Sequence, residues 1–390
     1  MRLRSILNRL CGWVKRLSLP LNALVITAIA FGLSHWIAYD LTSISAFAPM
    51  EKTMDFDLTD VYSTVADQRA KRTLSDDIVI VSIDGCSREG ITEAIDYVGY
   101  LNPLAIGLDV FFNYPAATDA ELISSLTQCS NLVFPVGLQM IDGHVSIFGS
   151  YFYDDISIEH KGVVNLSANS VRNVIRDFEP EYIVGNDTIR SFSAELAKVA
   201  APEKFEALMA RGRSKETINY PSWEFEIIPA EALSNGDIPL EEVRQSIEGK
   251  VVLIGNIFDQ SDFHLTPIDE GMAGLLIHAR ALQTILDSCY IEETSEAISW
   301  VMAIALSFIF ILLVLVIKKR CAFEGCFVRF LQLALMYAFL VLGCNVFAHR
   351  GDYLNFAPAL LMLGLGMLAM DIWLGLLKAV KIHIHKNRKR

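Results

Sequence analysis

Basic residues are scarce through the middle of the chain. Between residues 40 and 296 only 17 Lys and Arg stand against 42 Asp and Glu. Binding to a phosphate backbone depends on basic contacts, so this imbalance argues against nucleic acid as a partner. It favours cationic ligands only weakly, because an acidic surface is also simply a soluble one.

Cysteine is sparse too: of 7 in the chain, only Cys86, Cys129 and Cys289 fall in the acidic region, an odd number without CxxC spacing. A Cys86–Cys129 bridge stays open for an oxidising compartment, and buried free thiols are the leading reading. Walker A, GxGxxG, HExxH and GxSxG motifs are all lacking. Ser82-Ile83-Asp84-Gly85 has the frame of the DxDG loop of haloacid-dehalogenase-like phosphatases, but with serine where the nucleophilic aspartate belongs. Serine has no carboxylate from which to form an aspartyl-phosphate. The expectation is a protein without enzymatic activity or cofactor.

What the chain has in excess is apolar surface: 53% of its 390 residues are hydrophobic and its mean hydropathy is +0.38. Four stretches come close to or meet the ~20 apolar residues that a bilayer span requires. They run from about Leu21 to Tyr39, Ala297 to Ile317, Phe330 to Ala348 and Tyr353 to Leu377. None contains Lys or Arg, and only the fourth contains a carboxylate, Asp371. The first follows five basic residues and has no small-x-small cleavage site, so it reads as an uncleaved signal anchor.

Lys and Arg beside the spans set orientation. The N-terminal segment holds five, the loop from Lys318 to Arg329 four and the tail from Lys378 six, whereas the loop between spans three and four holds only Arg350. The expected organisation is a basic cytoplasmic segment (1–20), span one (21–39), a non-cytoplasmic domain (40–296), spans at 297–317, 330–348 and 353–377, and a basic cytoplasmic tail (378–390).

The large domain reads as α/β. Asp77-IVIVSI-Asp84 is a buried strand, Glu89 to Tyr100 a helix and Leu104-AIGL-Asp109 a second strand, an order that suggests a right-handed crossover and a parallel pair. Thr118 and Glu121 form a capping-box pattern at the start of an amphipathic helix. Leu132-VFPVGL is a third strand. From about Ile141 to Arg190 the text is turn-rich and polar, with Val145-SIF and Gly162-VVNL as short strands of an inserted excursion. Ser193 to Ala200 and Pro202 to Arg211 look helical, Lys250-VVLI-Gly255 is a strand, and Gly274 to Leu286 is a helix docked on the sheet.

Three segments, IVIVSIDGCS (78–87), AIGLDVFF (105–112) and VVLIGNIFDQSDFHLTPIDEGMAGLLIHARALQTIL (251–286), together resemble the type 2 CHASE domain. In the last segment Gly255, Asp262, Pro267, Gly274, His278 and Ala279 fall where that family places them. The resemblance implies a bacterial sensory domain outside the cytoplasm, flanked by one span before it and commonly three after, in the inner membrane. Two features depart from the family pattern. The aromatic-proline-arginine segment expected after the first aspartate is replaced by Ser87-REGITEAI, and no kinase, cyclase or phosphodiesterase domain follows the fourth span.

Asp84 and Asp109 end apolar strands, where parallel-sheet proteins place ligand sites. With Asn256, Asp262 and His278 they make one candidate ligand pocket; the alternative is that each aspartate caps a following helix. Asp262 and His264 share one face of an extended segment, but zinc would need His278 as a third ligand, and a hydrogen-bonded turn is the simpler reading. In the membrane, Asp371 is costly to bury. It is expected to pair with Lys378, to contact a neighbouring helix, or to snorkel to the interface. His383 and His385 belong to a basic tail suited to lipid headgroups.

The leading functional expectation is a receptor subunit that detects a small molecule or envelope signal and passes it to a separate signalling or envelope protein, with a homo-oligomer open. The alternative is a scaffolding component of an envelope complex.

Overall fold

In the computed structural model, residues 2–40, 57–166, 173–221, 223–318 and 324–387 are described. Two compact units result: residues 63–291, and residues 1–62 together with 292–390.

The first unit is built on a mostly parallel sheet of seven strands, β1 (Thr73–Ser82), β2 (Ala105–Asp109), β3 (Leu132–Ile141), β4 (His144–Phe148), β5 (His160–Val163), β6 (Trp223–Pro229) and β7 (Val251–Gly255). Strands β6, β1, β7, β2 and β3 lie side by side in that order and all run parallel. Runs of Ile, Val and Leu are the signature of strands covered on both faces, and β7 is buried throughout.

Alternation divides these residues between two cores. Ile78, Ile80, Val251 and Leu253 face one side, where they meet α3 (Phe192–Ala200) and α7 (Gly274–Leu286). Val79, Val81, Val252 and Ile254 face the other, against α1 (Arg88–Tyr100), α2 (Asp119–Gln128) and α6 (Leu240–Ile247). Two further helices are α4 (Pro202–Ala210) and the short α5 (Ala230–Ser234). Each such fully buried aliphatic side chain stabilises the fold by ~1.5–3 kcal/mol relative to leaving it exposed.

Three local expectations are corrected. β1 and β2 are parallel members of one sheet but not neighbours, because β7, the last strand of this sheet in sequence, inserts between them. Thr118 occupies the N-cap position of α2 without making a side-chain bond there. Asp119 instead accepts hydrogen bonds from the Ala116 N–H, the Tyr151 hydroxyl and the Arg88 guanidinium, all at 2.5 Å.

Nor is the stretch after Ile141 a simple excursion, since β4 and β5 both join the main sheet through β3. Asp142 and Gly143 close the β3–β4 hairpin with φ of 49° and 80°, the left-handed pair that a tight two-residue turn needs. Cys86 and Cys129 are free thiols, each half-buried against the α1 side of the sheet.

Among the described residues the second unit contains four helices long and apolar enough to cross a membrane, with candidate spans Leu19–Tyr39, Glu296–Lys318, Gly325–Arg350 and Ala357–Ala379. Polar side chains join them: Trp373 Nε1 donates to Asn22 Oδ1 at 2.8 Å, and Gln332 Nε2 donates to the Leu363 carbonyl at 2.8 Å. Asp371 and Lys378 are both exposed on their helix, and no ion pair joins them among the described residues. Seven residues of helix separate the two by about 10 Å of rise. The side chains of His383 and His385 lie outside the described residues.

Candidate functional site

Register places Ser82, Gly255 and Asp109 in one row at the C-terminal ends of β1, β7 and β2. In open parallel sheets this edge is where ligands bind, because strand ends and the loops after them leave a crevice. Here a cleft of about 350 Å³ opens at that edge. Asp109, Asn256, Asp262 and His278 all line it. Of the five residues singled out in the sequence, Asp84 alone is not among the lining groups.

Asp84 has another task. Its two carboxylate oxygens accept the N–H groups of Ile257 and Phe258 at 2.9 and 3.0 Å, and Ser82 Oγ donates to it at 2.6 Å. Asp84 therefore pins the loop after β7, just past Asn256, to the end of β1.

Asp262 combines the capping and cleft-lining roles. Its Oδ2 accepts the Gly274 N–H at the start of α7 at 3.1 Å, while Oδ1 accepts a hydrogen bond from His264 Nε2 at 3.2 Å. A carboxylate is favoured at a helix N-terminus by the unpaired N–H groups and the helix dipole. Only glycine permits this approach, since a Cβ at 274 would lie 2.5 Å from Asp262 Oδ2.

His278 comes from the same helix one turn on. Its Nε2 donates to the Val164 carbonyl at 3.2 Å, which fixes the proton on that nitrogen, and its ring packs edge-on to Phe192. Burial pushes its pKa down to about 4, so it is a neutral imidazole at ordinary pH. Asp109 is displaced the other way. Desolvation, reinforced by the nearby Asp262 charge and opposed by His264, lifts its carboxyl from the usual range to about 7.

The walls came from residues that were not singled out. Phe111, which follows β2, stacks on Phe148 of β4 with ring centroids 5.3 Å apart. The Phe148 ring lies across Gly137, its partner in the β3–β4 register, at a distance that leaves no room for a Cβ. Asn165 clips the open edge of β3, accepting the Leu138 N–H at 2.5 Å and donating to the Leu138 carbonyl at 3.1 Å. The phenylalanine-rich AIGLDVFF text was the one available signal, since it shows aromatic residues directly after a strand-end aspartate. Nothing in the local sequence around Phe148 or Asn165 shows that they face Asp109.

The hairpin that carries Asp262 and His264 also reaches away from the cleft. Phe263–His264 pairs antiparallel with Met272–Ala273, and the Pro267 carbonyl between them accepts a hydrogen bond from Thr64 Oγ1 at 2.8 Å. Thr64 lies on the helix Leu58–Arg69 that leads into the domain.

A family model for the CHASE2 domain matches residues 36–318, which span the whole sheet, the cleft and the helices at either end. The chain belongs to the CHASE2 domain family. No curated protein and no solved structure matches it. CHASE2 domains are sensory, so the cleft belongs to a domain whose family role is detection.

Within this CHASE2 domain no three His, Cys, Asp or Glu side chains converge as metal ligands among the described residues. Chemically the cleft offers one carboxyl that ionises near neutrality, a second carboxylate held by its helix, a neutral imidazole, the Asn256 amide and an aromatic wall. That is equipment for holding and orienting a small polar molecule.

Proposed function

We propose that this CHASE2 protein is a membrane-anchored sensor of the bacterial inner membrane, with its α/β domain on the extracytoplasmic side and both termini in the cytoplasm. The cleft beyond β2 and β7 binds a small molecule without converting it, and the bound state is passed to a separate protein. The observation that carries this reading is the meeting of Asp109, Asn256, Asp262 and His278 in one cleft at the strand-end crevice. Orientation is supported by the basic residues, which number five, four and six in the three segments assigned to the cytoplasm and one in the short external loop.

A route for the signal is also supported. A ligand shifts a conformational equilibrium only through different affinity for the two states. Asp262 and His264 stand on the hairpin whose tip holds Thr64, so a ligand that moves the hairpin also loads the helix Leu58–Arg69. The output partner would meet the cytoplasmic loop near Lys318.

Thermal denaturation of the full chain in detergent, screened against a broad metabolite library, tests the reading. A saturable rise in Tm that Asp109→Asn abolishes is expected, since a ligand specific to the folded state stabilises by mass action. No rise with any compound, together with a stable protein partner crosslinked to the external domain, would instead favour the scaffold. Alkaline-phosphatase fusions after residue 296 and after residue 318 test the orientation, with activity expected from the first only.

A further inference from the structure

Among the described residues, the charged and ionisable groups lining the cleft are three carboxylates and two imidazoles, Asp109, Asp259, Asp262, His264 and His278, with no Lys or Arg. Two of the carboxylates are already engaged. Asp262 is taken by Gly274 and His264, and Asp259 accepts the N–H and hydroxyl of Ser261 at 2.9 and 2.7 Å. The Asp109 carboxylate has no hydrogen bond or ion pair to any described residue, although it stands close enough to Asp262 for the two charges to repel.

Building on the cleft as a ligand site, we propose that it takes a small organic cation, a primary amine or amidine. Its charged end faces Asp109 and Asp262, and its apolar body lies on the Phe111–Phe148 pair. An anion would add a further negative charge beside three aspartates, in a cleft whose described lining has no Lys or Arg and whose His264 already faces Asp262. A neutral ligand would leave the repulsion between the two aspartates uncompensated. A cation relieves that repulsion and is attracted in addition by aromatic faces, which carry negative potential. His278 does not supply the missing charge, because burial keeps its ring neutral. An inorganic cation would need several ligands at fixed distances, and no three such groups converge among the described residues. The volume, about 350 Å³, sits at the small end of the ~300–1,000 Å³ range of ligand pockets and fits one aryl-alkyl amine.

The test uses the full chain in detergent at pH 7.5, titrated with phenethylamine and benzamidine, with 2-phenylethanol and 3-phenylpropionate as isosteric neutral and anionic probes, and with calcium chloride alone. The two organic cations are expected to raise Tm saturably and the other three to leave it unchanged. Asp109→Asn should weaken phenethylamine binding at least tenfold. Phe148→Leu, which keeps the charge, should weaken it severalfold and guards against an Asp109 variant that fails to fold. Equal binding of the alcohol or the carboxylate, lost in Asp109→Asn, would overturn the cationic class and leave the ligand site standing. A response to calcium alone, or amine binding indifferent to Asp109→Asn, also overturns it. Silence from every probe and from the broader metabolite library would remove the ligand site as well.

Discussion

The Asp262 carboxylate rests against the bare Cα of Gly274: Oδ2 accepts the Gly274 N–H at 3.1 Å and would meet a Cβ at that position at 2.5 Å. This contact joins the start of α7 to the hairpin that forms one side of the cleft. It makes the glycine and the aspartate a single unit.

Gly274→Ala should therefore cost more than an alanine in a helix ordinarily would. The added methyl forces Asp262 off the helix N-terminus, and overpacking of this kind typically costs ~1–3 kcal/mol. Asp262→Ala removes the cap, together with the half-exposed bond to His264, and should cost about 1 kcal/mol. In the double variant the steric clash is gone, so thermal melts should show a loss smaller than the sum of the two. Strict additivity would mean that the two residues act separately.

The two shifted groups predict opposite pH behaviour. Asp109 has a folded pKa raised to about 7, so its folded form prefers to be neutral and stability falls as pH rises from about 4 towards 7. The groups facing it are Asp262, His264, His278 and Asp259 around the cleft. Asp109→Asn removes this penalty, so its Tm advantage over the parent chain should grow between pH 5 and pH 8. His278, lowered to about 4, must take up a proton on acid unfolding, so stability falls as pH drops from about 6.5 to 4, by roughly 3 kcal/mol in total. His278→Gln keeps a donor for the Val164 carbonyl and should flatten that acid limb.

Asp84 predicts a stability defect with little direct effect on ligand contacts. Asp84→Ala strands the N–H groups of Ile257 and Phe258, and hydrogen bonds to a charged group contribute ~1.5–3 kcal/mol each. Asp84→Asn retains one acceptor oxygen and should lose about half as much. A melt of the alanine variant within a degree of the parent would show that the loop after β7 is held by other means.

The parts that were legible in the sequence are those where one residue's environment is set by its own neighbours. Short apolar runs gave β1, β2 and β7, and the limits of α7, Gly274 and Leu286, were readable from its periodicity. The strand ends gave Asp109, and the long motif after β7 gave Asp262 and His278. Order within the sheet was not legible, because nothing local to Val251–Gly255 shows that it slides between β1 and β2. The edge strand β6 escaped notice because its Trp-Glu-Phe-Glu pattern is half exposed and polar. Asp84 looked like a cleft residue because it follows a strand as Asp109 does, and only the path of the distant Ile257–Phe258 backbone claims its oxygens. The aromatic wall needed the β3–β4 pairing, a contact set by register.

That register supports a further test. Gly137 faces Phe148 so closely that the ring covers the glycine Cα, and any Cβ there displaces it. Gly137→Ala should push Phe148 away from Phe111 and alter the cleft wall while leaving Asp109, Asp262 and His278 in place. A ligand that uses the aromatic wall should lose affinity severalfold, and one that uses only the polar groups should not. Paired titrations of parent and variant with one aryl amine and one alkyl amine separate the two cases.

The link from cleft to entry helix rests on one hydroxyl, and its failure would be visible without knowing any ligand. Thr64 Oγ1 donates to the Pro267 carbonyl at 2.8 Å, so loosening the hairpin at Asp262 should loosen this bond. Asp262→Ala is expected to speed amide hydrogen exchange over residues 65–69, several residues removed from the altered side chain. Thr64→Val cuts the link itself, at a cost of about 1 kcal/mol or less, and should raise exchange there to a similar degree on its own. In the double variant the two effects should overlap instead of adding, since both act through the same contact. If Asp262→Ala leaves residues 65–69 untouched while exchange rises at the start of α7, the hairpin does not carry motion to the entry helix and the relay must leave the domain by α7.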